Sequence, residues 1–89
     1  MYILIDQLEA VEDPRTGNAK RHKLGDLLFI AIAAGVAGAD TWYEIVEYAH
    51  THEAFFRKYL ELPSGIPSHD TFNRVFAIMD TRILEENYQ

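Results

Sequence analysis

The stretch "LGDLLFIAIAAGVAG", Leu24 to Gly38, decides the fold. Beyond a first turn that carries Asp26, it has no charged side chain and is apolar nearly all round. That is the pattern of a central helix packed on several sides. Its apolar run, Leu27 to Ala39, is shorter than the roughly 18 residues of a membrane span, so it predicts a buried helix and no membrane partner. The run also imitates the apolar part of a signal peptide, with basic residues before it and small ones near its end. Asp6, Glu9, Glu12 and Asp13 ahead of it argue against secretion. Ala31, Ala33, Ala34, Gly35, Ala37 and Gly38 leave room for neighbouring helices to approach closely. On this basis a large residue at Gly35 is expected to overpack the core, at a cost of about 1–3 kcal/mol.

Working outward toward the N-terminus, Leu4, Leu8 and Val11 fall on one face of a short helix that stops before Pro14. "DPRTGN" then supplies turn residues. Toward the C-terminus, Thr41 followed three residues later by Glu44 matches a capping box and predicts a helix start. Trp42, Ile45 and Ala49 mark its inward face, with Val46 beside it, while Glu44 and Glu47 face water. In "EAFFRKYLEL", Phe55, Phe56, Tyr59, Leu60 and Leu62 show helical periodicity, which predicts a short helix, either separate from the preceding one or continuous with it through Thr51 and His52. Pro63, Gly65 and Pro67 forbid a continuous helix beyond it. Ser68 or Asp70 caps a final one, whose buried face is Phe72, Val75, Phe76 and Met79. Nothing requires a sheet. The expected fold is all-α: a compact single-domain bundle of four to five short helices with a helix-turn-helix-like C-terminal part.

Eighty-nine residues, 48% of them hydrophobic, suffice for one core. There is no cysteine, so no disulfide framework and no thiolate metal site; this is compatible with the reducing cytoplasm, the expected location. The net charge of −6 argues against a surface that binds nucleic acid everywhere. The exception is local: Arg15, Lys20, Arg21 and Lys23, joined by His22 and interrupted by no acid, form a basic cluster from which a polyanion contact would start. A solvated basic loop is the plainer alternative.

His69-Asp70 invites comparison with helical metal-dependent phosphohydrolases, but such a site needs further ligands from other helices. His50 and His52, two apart on a helix, point in nearly opposite directions. No metal or other cofactor is expected. Ser68 and Asp70 are explained by capping. His69, Asn73 and Arg74 are not, since polar side chains in the first turns of a helix also reach base edges and phosphates. Neither a nucleophilic triad nor a glycine-rich phosphate loop is present, and no catalytic residues are assigned.

The segments "DPRTGNAKRHKLGDLLFIAIAAGVAGADTWYEI" and "YLELPSGIPSHDTFNRVFAIMD" together resemble the domain that precedes the catalytic domain in bacterial DDE-class insertion-sequence transposases, the H-repeat-associated proteins among them. The resemblance rests on Asp13, Pro14, Arg15, Arg21, His22, Leu24, Asp26, Leu27, Leu28, Gly38, Ala39 and Ile45, then Leu60, Leu62, Gly65 through Phe72, Arg74, Val75 and Phe76. It covers about Leu8 to Asp80. It implies a helical, non-catalytic accessory domain whose partner is transposon-end DNA. The DDE carboxylates and their two metal ions belong to a domain expected to be absent here. Candidate DNA contacts are Arg15, Lys20, Arg21, His22, Lys23, His69, Asn73 and Arg74. The alternative is a homodimer, or docking to a transposase catalytic domain, through Trp42, Tyr43, Phe55 or Phe56.

Overall fold

The computed structural model describes residues 22–87, with side chains over 22–80. Four helices follow one another: α1 (Leu24–Val36), α2 (Trp42–Thr51), α3 (Glu53–Tyr59) and α4 (His69–Asn87). There is no strand among the described residues, and the fold is all-α. The helix expected before Pro14 lies outside the described residues.

α1 begins buried on nearly every side: Leu24, Asp26, Leu27, Leu28, Phe29, Ile30 and Ala34 are all in the interior. Its last turns are not, with Ile32 45% and Val36 86% exposed. The expected central helix packed on several sides is thus found over its first part, while towards its end Ala34 stays buried and Ile32 and Val36 face solvent. Gly35 is exposed, and a Cβ placed there meets nothing within 4 Å. The overpacking expected at Gly35 does not follow. The helix ends in a Schellman motif, in which the N–H of Gly38 bonds to the carbonyl of Gly35 and that of Ala39 to the carbonyl of Ala34. Gly38, at φ +105°, stands outside the helix, where a side chain would be strained.

α2 packs against each of the other three helices. Thr41 Oγ1 accepts the Glu44 N–H at 3.1 Å, while its hydroxyl donates to Glu44 Oε1 at 3.2 Å. The glutamate thus returns to the Thr41 side chain rather than to its backbone. Ile45 and Ala49 enter the core. α2 and α3 are not continuous: His52, at φ −112° and ψ 28°, ends one and precedes the other. The bend at this residue turns Phe56 inward, where its ring meets Phe29 edge-on at 6.0 Å.

Leu60 and Leu62 were expected on the helix and are instead beyond it, yet both are buried, as is Pro67. Leu60 is extended: the Pro63 ring clashes with a helical carbonyl four residues before it, and Leu62, the residue before the proline, avoids right-handed α geometry. Leu62 adopts φ +45°, a left-handed conformation costing about 1–2 kcal/mol for a side-chain-bearing residue. Its N–H donates to Asp26 Oδ2 at 3.3 Å, and the Gly65 N–H closes a turn onto its carbonyl at 3.0 Å. Beside this link, Lys23 Nζ pairs with Glu61 Oε1 at 3.2 Å. The buried carboxylate thereby ties the first turn of α1 to the loop that leads into α4.

Ser68 Oγ accepts the Thr71 N–H at 3.3 Å at the start of α4. Phe72 and Val75 are buried, with Phe76 and Met79 packed against the same core. The connection over residues 60–68 is longer than the turn of about three to four residues in a tight helix-turn-helix.

Two substitutions test this packing by urea denaturation. Gly35→Ala is expected to stabilise the chain by about 0.5–1 kcal/mol, because helix propensity rises and nothing is displaced. Asp26→Ala is expected to cost about 1–3 kcal/mol, because the buried Leu62 N–H loses an acceptor.

Candidate nucleic-acid interface

The same residues that anchor α4 decide which of its side chains reach solvent. With Phe72 and Val75 turned inward, the 100° step of a helix puts Asp70, Asn73 and Arg74 on the opposite side, and all three are exposed. His69 lies at the edge between the two faces, half-buried against α2.

The position of α2 follows from Trp42. Its indole stacks on Phe72, with centroids 5.9 Å apart and planes 9° from parallel, and lies 5.0 Å from the Phe76 ring. This fixes the first turns of α2 and α4 side by side. Tyr43, the next residue, is thereby carried over the rim of α4, where its ring stacks on His69 at 4.1 Å and 26°. His69 Nε2 lies 3.3 Å from Asp70 Oδ1. Asp70 sits in the first turn, where a carboxylate favours the helix dipole, and the Thr71 N–H is taken by the Ser68 hydroxyl.

Charge is unevenly committed. Arg57 pairs with Glu53 at 2.7 Å, and Lys23 with Glu61. Both pairs are solvent-exposed, so each is worth about 0–1 kcal/mol and releases its cation easily. Arg74 makes no ion pair among the described residues, although Asp70 lies one turn before it. The start of α4 therefore presents a guanidinium suited to a phosphate or a guanine edge, and an amide suited to an adenine edge.

Of the other residues singled out by sequence, Arg15, Lys20 and Arg21 lie outside the described residues. His22 and Lys23 are half-buried just ahead of α1. His50 and His52 are both exposed, and no three His, Asp or Glu side chains gather as a metal site among the described residues. Among the aromatics proposed for docking, Phe56 is fully buried and Trp42 is wedged between helices; Tyr43 and Phe55 are exposed. The pairing of Tyr43 with His69 was not foreseen, because it joins two helices and leaves no local pattern. An open groove of about 320 Å³ beside the end of α1 is bordered by Glu44 and Glu47, which disfavours a phosphate there. No described helix is long and apolar enough to cross a membrane.

A family model described as DDE_Tnp_1-associated matches residues 5–89. An uncharacterized protein in the dhlA 3' region of Xanthobacter autotrophicus is 44% identical over 78 residues, which are 86% of this chain and 26% of that protein. The H repeat-associated putative transposase YbfD of Escherichia coli K12 is 32% identical over 85 residues, 96% of this chain and 34% of that protein. The inactive transposase YbfQ of the same strain is 36% identical over 74 residues, 83% of this chain and 88% of that protein. The chain thus spans about a quarter and about a third of the first two relatives and most of the third. No solved structure matches it.

Removing the hydroxyl that caps α4 tests how firmly this surface is held. Ser68→Ala is expected to lower stability by about 1 kcal/mol in urea denaturation, with α4 fraying from its first turn.

Proposed function

The chain belongs to the DDE_Tnp_1-associated family, and from that premise we propose that it is a non-catalytic accessory domain that binds transposon-end DNA during transposition. The observation that supports this is the exposed pair Asn73 and Arg74 at the start of α4, with Arg74 uncommitted to any carboxylate among the described residues. Asn73 reaches base edges, Arg74 takes a phosphate or a guanine, and His69 donates from the rim. Arg15, Lys20, Arg21, His22 and Lys23 supply further backbone contacts, Lys23 by exchanging Glu61 for a phosphate. The net charge of −6 keeps nonspecific affinity low, so binding depends on these few contacts. On this reading strand-transfer chemistry is not the task of residues 1–89.

Ile32 and Val36 favour a second reading, docking to a transposase catalytic domain or to a second copy. Exposed aliphatic side chains one turn apart suit an interface core. In that case sedimentation shows a dimer that Val36→Glu dissociates, and no DNA is bound.

Fluorescence anisotropy across a salt series, with the terminal inverted repeat of a related element and a scrambled duplex, tests the DNA reading. The repeat is expected to bind more tightly, and Arg74→Ala is expected to reduce the salt slope by about 1. Asp70→Asn is expected to tighten binding by removing a negative charge from the contact surface. No binding to either duplex at low salt contradicts the proposal.

A further inference from the structure

We propose that Tyr43, backed by His69, is a stacking platform for an unpaired base at the DNA end; this rests on the DNA-binding reading above. Tyr43 is 67% exposed although it neighbours the most heavily packed ring of α2. The core does not need it. The ring is nevertheless held still: Trp42 fixes its backbone against Phe72 and Phe76, and the imidazole of His69 covers one of its faces in a near-parallel stack. His69 Nε2 lies 3.3 Å from Asp70 Oδ1. A third ring laid on the open face of Tyr43 meets a platform whose ordering cost has already been met in folding.

The start of α4, against which the platform rests, suits a nucleotide. Asn73 stands one turn beyond His69, and Arg74 follows it on the exposed side of the helix, so the end of α4 that carries His69 also offers an amide and a guanidinium to a base edge and a phosphate. A protein-docking core is depleted of charge, and this single ring set among His69, Asp70 and Arg74 does not resemble one. The base is taken as unpaired because inside a duplex both faces of each base are covered and the terminal pair is held in line with the helix, whereas an unpaired base swings freely onto an aromatic ring. An aromatic platform of this kind accepts any base and is worth about 1–3 kcal/mol.

The test uses the whole chain, its Tyr43→Phe and Tyr43→Ala variants, and two probes: a blunt terminal-repeat duplex and the same duplex with a few unpaired nucleotides at its end. The forked probe is expected to bind about tenfold more tightly than the blunt one. Tyr43→Phe retains that preference; Tyr43→Ala loses it, so that the two probes are bound alike, while far-ultraviolet circular dichroism confirms the helices. Equal affinity of the wild-type chain for both probes overturns the platform and leaves the DNA reading standing. Failure to bind either probe overturns both. A preference that survives Tyr43→Ala, or a dimer that this variant converts to monomer without affecting DNA, also overturns the platform.

Discussion

A buried carboxylate with a backbone N–H to satisfy holds the rest of the molecule in place. Asp26 lies in the first turn of an otherwise apolar helix and is 3% exposed, an arrangement that is unfavourable unless its oxygens are hydrogen-bonded. Leu62, in a left-handed conformation just before Pro63, supplies one of those bonds. Each group offsets the other's cost. With Leu62 so fixed, Leu60, Leu62 and Pro67 project into the core from a segment with no regular structure, and the chain is delivered to Ser68 at the angle that starts α4.

From that starting point the exposed face of α4 follows. Phe72 and Val75 face inward, Trp42 lies across Phe72 and Phe76, and Tyr43 is carried onto His69. The polar corner formed by Tyr43, His69, Asn73 and Arg74 is thus set by burial elsewhere, which is how a small domain gains a rigid contact surface without a large core. The apolar end of α1, at Ile32 and Val36, is a separate feature with a different chemistry. One surface suits a polyanion and the other an apolar partner, and they need not compete.

Much of the fold was legible because its signals are local. The Thr41-to-Glu44 spacing marks the start of α2, and the i, i+3, i+4, i+7 series from Phe72 marks the inner side of α4. Periodicity misplaced Leu60 and Leu62, since burial alone does not distinguish a helix from an extended segment; Pro63 carried the deciding signal. The all-round apolar pattern of α1 gave no sign that Ile32 and Val36 face solvent while Ala34 stays buried, because hydrophobicity reports preference for burial and not where partner helices lie. For the candidate surface, Asn73 and Arg74 were singled out by their place in the first turns of α4, and both are exposed there. Tyr43 on His69 was not, nor was Asp26 beneath Leu62, because both depend on tertiary contacts between residues far apart in the chain.

The most direct test of the account is a two-dimensional amide NMR titration of the isotope-labelled chain with a terminal-repeat duplex. The account predicts shifts concentrated at Tyr43, His69, Asn73 and Arg74, with Leu62 unmoved because the Asp26 link holds through binding. Shifts confined to Ile32, Val36 and Phe55, or none at all, contradict it.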